Sequence, residues 1–268
     1  MGRTQRLTVN TRATTTRPVS NGTTHFFRYS STEHLDWLEP VILNHHIYAP
    51  TAKQVNDPRE AKPKFADVSV EDIAEFLKRM FVTNNPGVPP ERYAHAAAEI
   101  DWMAARSTAE QLLKQMSESF YSLTENTRIF SMSKRWDNMA LWAKYADNHR
   151  GYCLEFAEAG LFLAAREVVY DDTLRLDIRD PSHPTFEMFF HKTPEWSNEE
   201  EVRLVLARLL GGPLFRIKPE WLSRIIIGKD MPQRERQRIQ TWANQRVPEL
   251  MVMTAEFDGY TQALKLYS

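Results

Sequence analysis

One cysteine, Cys153, is all the thiol chemistry this 268-residue chain contains. An internal disulfide is therefore excluded, and with no signal-peptide h-region at the start the expected compartment is the cytoplasm. Long apolar runs are lacking too: the stretch AGLFLAA at 159–165 is far too short to span a bilayer. No sign of charge prevails, since 34 basic side chains face 35 acidic ones. That balance argues against nucleic-acid binding through global charge, although a local basic patch is compatible with it. Metal-ligand spacing is missing as well. His45 and His46 are adjacent and would point to opposite sides of a strand, His183 and His191 stand eight apart, and there is no His-x-x-x-His or thiolate set. Neither a phosphate-loop glycine pattern nor a Gly-x-Ser-x-Gly elbow occurs, and Ser182-His183 sits in a proline-flanked loop that reads as a turn.

What is present is an ordinary globular composition, 42% apolar and 26% charged, in a chain long enough to bury a sizeable core. Residues 1–24 stand apart, with four arginines, many threonines and no acid. Such a segment cannot bury enough apolar surface to order itself, so it reads as a basic flexible tail, and residues 25–268 as a single α+β domain.

Within that domain, HFFRYS (25–30) and HIYAP (46–50) read as strands around a helix over 31–44, whose Leu35, Leu38 and Ile42 share a face and whose Pro40 predicts a kink. Asn56-Asp57-Pro58 reads as a turn. A helical insert over about residues 66–124 follows: Ser69 to Asp72 is a capping-box signature, Pro89-Pro90 begins a second helix, and Ser107 to Glu110 caps a third. Then come RIFSMS (128–133) as a strand, 136–149 as a helix, GYCLEF (151–156) as a strand, a helical segment near 184–192, and EEVRLVLARL (200–209) as a strand. Asp230 and Pro232 predict the start of a helix running to about Arg246, before two final strands. The order predicts a mixed, mainly antiparallel sheet system with the insert and peripheral helices around it.

Two segments concentrate chemistry. Over 130–156, FSMSKRWDNMALWAKYADNHRGYCLEF packs hydroxyls, aromatics and amides together, and over 192–206, KTPEWSNEEEVRLVL carries carboxylates. If Glu199 to Leu206 is extended, alternation puts Glu199, Glu201 and Arg203 on one face and Val202 and Leu204 on the other, toward the core. Two carboxylates and a guanidinium can polarise a substrate hydroxyl; they can equally form a surface ion pair worth little. Trp196 can wall a ligand pocket or sit in a core. On the 136–149 helix, Trp142 reads as core and Tyr145 as a rim residue, while His149 beside Arg150 reads as a surface group and Gly151 as a left-handed turn.

These landmarks carry a resemblance. FFRY at 26–29, NDP at 56–58, FSMS at 130–133, LWAKYADNHRGYCLEF at 141–156, EWSNEEEVRL at 195–204 and RIIIGKDM at 224–231 resemble the successive motifs of the bacterial domain of unknown function 2971 family. The acidic strand after an aromatic is also similar to the third signature of the ADP-ribosyltransferase superfamily. That second resemblance implies a split-sheet fold and NAD as substrate, with no metal. Arg28 would hold the dinucleotide, while Tyr48 or the hydroxyls of Ser131 and Ser133 would line the nicotinamide pocket. Glu201 would stabilise the oxocarbenium-like state, assisted by Glu199. Trp142, Tyr145, Trp196 and Arg203 complete the binding residues. The departures are that no His-Gly or Arg-Gly pair marks the first strand and no Ser-Thr-Ser the second. Two function classes stay open: an NAD-consuming transferase onto a macromolecular acceptor, or glycohydrolase, used as a toxin or in antiphage defence; and a non-catalytic ligand-sensing or protein-interaction module.

Overall fold

The computed structural model of the protein describes residues 24–54, 64–171, 175–180, 187–206, 213–258 and 263–267, with all side chains in them except those of 120–126. The tail expected over 1–24 (Thr24 excepted), the Asn56-Asp57-Pro58 turn and the Ser182-His183 loop lie outside the described residues. In chain order the first elements are β1 (His25–Ser30), α1 (Leu35–Leu43), β2 (His46–Tyr48), α2 (Val70–Asn84), α3 (Pro90–Ala104), α4 (Ala109–Asn126), β3 (Arg128–Ser133), α5 (Met139–Tyr145) and β4 (Tyr152–Ala157). The remainder are β5 (Arg166–Glu167), β6 (Val169–Tyr170), β7 (His191–Lys192), β8 (Glu201–Leu206), β9 (Leu214–Arg216), β10 (Leu222–Gly228), α6 (Gln233–Gln245), β11 (Met251–Asp258) and β12 (Ala263–Tyr267). The class is α+β, with mixed, mainly antiparallel strand pairing.

The chain forms two compact units, each gathered from separated segments. The first comprises Met1–Ile47, Met132–Leu163 and Arg216–Ser268. Its strands run in the order β12-β11-β10-β4-β1. β1 pairs antiparallel with β4 from His25↔Ala157 to Ser30↔Tyr152, and Phe27 of β1 stands opposite Ser133 at the end of β3. β10 is antiparallel to β4 and parallel to β11. A parallel neighbour requires a crossover, which α6 supplies with Ile239, Trp242 and Ala243 buried. α1 buries Leu35, Leu38, Val41 and Ile42, and its helix continues through Pro40. Phe27 and Tyr29 of β1, Leu141 and Trp142 of α5, Cys153 of β4 and Ile226 of β10 share one core cluster. Burial there pushes the Cys153 thiol well above its ordinary pKa, with Glu155 adding to the shift.

α5 is much shorter than the helix expected over 136–149. Asn138 caps it by accepting from the backbone N–H groups of Ala140 and Leu141, at 3.0 and 3.3 Å. At its other end Asp147, Asn148 and His149 are all left-handed, with φ of 45, 50 and 67°. Gly151, expected to supply the left-handed turn, is instead required by close approach: a Cβ on it would lie 2.1 Å from the Ser30 carbonyl oxygen. α6 also differs from expectation, because Pro232 stands at its cap with no side-chain capping bond. The Asp230 carboxylate is engaged by Lys229 at 2.6 Å.

The second unit comprises Tyr48–Ser131 and Ala164–Phe215. It contains the helices of the insert, and the capping box at the start of α2 is formed, Ser69 accepting from the Asp72 N–H and Asp72 from that of Ser69. Ile73 of α2, Leu112 and Met116 of α4, Ile129 of β3 and Met188, Phe189 and Phe190 form its core. Those last three lie in a 3-10 turn, Glu187–Phe190, that stands with β7 where a helix was expected near 184–192. The strand order is β3-β8-β5, and β6 pairs parallel with β7, Tyr170 opposite Lys192.

Candidate functional site

The densest charge chemistry lies in the second unit, along Lys192 to Arg203. Lys192 ends β7, and a 3-10 helix over Pro194–Glu199 then turns the chain. Glu200 at its end is left-handed, φ 45°, which brings Glu201 into β8. The alternation expected from Glu199 through Arg203 is thus broken, since Glu199 belongs to the turn and only Glu201 and Arg203 to the strand. They meet nonetheless. Lys192 Nζ donates to Glu199 Oε2 at 2.7 Å and to Glu201 Oε2 at 3.1 Å. Arg203 grips Glu201 with two bonds, Nε to Oε1 at 2.8 Å and Nη2 to Oε2 at 3.0 Å, and its Nη1 donates to the Phe189 carbonyl at 2.6 Å.

All four charges are buried: side-chain exposure is 4% for Lys192, 7% for Glu199, 6% for Glu201 and 1% for Arg203. Two anions and two cations cancel, which is what allows such groups to leave water. Burial pushes the Glu201 carboxyl up, but Arg203 and Lys192, with a hydrogen bond from Ser131, outweigh it and hold the pKa at about 2. Glu201 is therefore ionised across the physiological range. Around this core, the Trp196 ring lies 4.4 Å from Lys192 Nζ, a cation–π arrangement, and the Glu201 N–H donates to Tyr170 Oη at 2.7 Å. Burial pushes the Tyr170 phenol up to about 12, so it is neutral.

Five of the sequence-derived residues, Ser131, Trp196, Glu199, Glu201 and Arg203, are thus joined in one network. Tyr48 also belongs to this unit, half-buried at the end of β2. Arg28, Ser133, Trp142 and Tyr145 belong to the first unit. There Arg28 is half-buried on β1 opposite Leu154, and Ser133 Oγ accepts from the Arg135 N–H at 3.2 Å. Trp142 has no exposed surface, donates through Nε1 to the Trp136 carbonyl at 2.7 Å and meets Tyr29 edge-on, so it acts through packing. Tyr145 is half-buried against the same cluster. His149 is buried rather than on the surface, its ring stacked on Trp142 with centroids 5.3 Å apart.

Sequence reasoning missed Lys192 and Tyr170. Neither stands at a spacing that points to the carboxylates, because the register depends on the β6–β7 pair and the 3-10 turn between them. Among the described residues no group of three His, Cys, Asp or Glu side chains could hold a metal ion, and no helix is long and apolar enough to cross a membrane. No family model matches the chain, and neither a curated protein nor a solved structure matches it.

Proposed function

We propose that the Lys192–Arg203 network belongs to an NAD-consuming enzyme in which Glu201 faces the ribose of the scissile nicotinamide bond. The observation that carries this reading is the hydrogen bond from Ser131 to an ionised, buried Glu201, since the resemblance to the ADP-ribosyltransferases gives a serine and a glutamate of these two strands to one nicotinamide pocket. Breaking the bond develops positive charge on the ribose, and a fixed carboxylate in a dry setting stabilises it more than water does. A carboxylate has about four acceptor positions. Here Arg203 fills two, Lys192 a third and Ser131 another. A ribose hydroxyl therefore enters by displacing a donor, and Lys192 is the one able to yield, because Glu199 and the Trp196 ring retain its charge.

The same saturation favours a second reading, a non-catalytic ligand-sensing or interaction module in which the network is a rigid support. Nicotinamide release from NAD by the pure protein, with water or protein acceptors, separates the two. The enzyme reading expects release, with a fall of about a hundredfold or more in Glu201→Gln. Thermal stabilisation by NAD with no release, or unchanged turnover in that variant, leaves the binding module.

A further inference from the structure

A second cluster, of basic side chains alone among the described residues, lies wholly in the first unit. His45 follows α1 in a left-handed conformation, φ 58°, and its carbonyl accepts from the Ile217 N–H at 2.7 Å. That bond brings His45 and His46 beside Arg216. Two residues beyond Ile217, the Pro219 carbonyl accepts from Nη2 of Arg246, the residue that closes α6. Arg246 is 4% exposed, yet among the described residues that carbonyl is its side chain's single hydrogen-bond acceptor. Its buried Nε has no partner among the described residues, and neither has the buried Nδ1 of His45.

Among the described residues no carboxylate compensates. Glu220 and Glu249, near in sequence to Pro219 and Arg246, are exposed and form no ion pair among the described residues. Burial lowers the His45 pKa, and the charges acting on it, Arg246, Arg216 and His46, all lower it further. The C-terminal end of α6 supplies only a partial negative charge toward Arg246. A buried guanidinium with one carbonyl acceptor and cationic neighbours is a site awaiting an external anion.

We propose that His45, His46, Arg216 and Arg246 bind a phosphate dianion, free or as the terminal group of a nucleotide. Phosphate fits better than a monocarboxylate because the two guanidiniums call for two negative charges, and the N–H groups of guanidiniums and imidazoles for several acceptor oxygens. Arg216 is exposed and the two histidines are half-buried, so the cluster reaches solvent. This site is independent of the NAD reading.

The test is thermal-shift titration at constant ionic strength with inorganic phosphate, AMP or adenosine, against chloride. The expected result is a saturable rise in Tm with phosphate, AMP or both, and none with adenosine; a response to AMP alone identifies a nucleotide. Arg216→Ala, which removes an exposed side chain and leaves the fold intact, should weaken that binding about tenfold, and Arg246→Leu should abolish it. No saturable shift beyond chloride, an equal shift with adenosine, or wild-type affinity in Arg216→Ala overturns the proposal.

Discussion

Glu201 illustrates how a side chain can be indispensable to a fold although the network it belongs to is no stronger than apolar packing that could replace it. Replacing a whole buried ion network with apolar groups is often neutral, whereas removing one member strands the others. Arg203→Met should therefore destabilise the protein by about 3–5 kcal/mol in urea unfolding, because Glu201 then keeps only Lys192 and Ser131 against full burial. A loss below about 1 kcal/mol, the scale of an exposed pair, would show that water reaches the cluster. Trp142 is the apolar counterpart. With no exposed surface and its indole N–H satisfied by Trp136, Trp142→Ala should cost about 3–5 kcal/mol. Near-wild-type stability with lost ligand binding would make it a contact residue instead.

Among the elements, those with local signatures were the legible ones. The capping box at Ser69 and the short strands HFFRYS and GYCLEF each encode their structure within a few neighbouring residues. What escaped were features set by distant chain. The truncation of α5 depends on three successive left-handed residues that no glycine announces, held where the His149 carbonyl accepts from the Asp230 N–H at 3.0 Å. The union of Lys192 with Glu199 and Glu201 likewise depends on a 3-10 turn that takes in Glu199, where alternation predicted the strand to begin. The close approaches at the glycines of this region are testable. Gly151→Ala would place a methyl 2.1 Å from the Ser30 oxygen, and Gly228→Ala one 2.0 Å from the His149 oxygen; backbone atoms cannot rotate aside. Both should lower Tm far more than Gly87→Ala, which meets no atom within 4 Å and bears only the strain of φ +78°. Equal losses in all three would mean that the loops give way.

Over the whole molecule, acid should act in two steps. Burial lowers the pKa values of His149 and His45 below the ordinary 6.5, with Lys229 adding to the effect at His149 and Arg246, Arg216 and His46 at His45. The unfolded chain then takes up protons first. Stability is full above about pH 6.5 and declines as the pH falls through that value toward the folded pKa values. Glu201 has the opposite origin but the same direction: depressed from 4.5 to about 2, it contributes stability that is present above 4.5 and is lost as the pH falls toward 2. Urea midpoints measured from pH 8 to 3 should fall first near 6 and again below 4.5. The first step should shrink in His149→Gln, and a flat profile between pH 7.5 and 5.5 would contradict the burial of both imidazoles.

Each unit has its own hydrophobic cluster, and the only sulfhydryl in the chain is enclosed in the first. Fully shielded and held in its protonated form, Cys153 cannot be alkylated in the native state, since the thiolate is the reactive species. Labelling by iodoacetamide then proceeds only through opening of that cluster, and its rate counts how often β4 is laid bare. The lone cysteine is a native stopwatch for the unit around it, readable by mass spectrometry with no engineered probe.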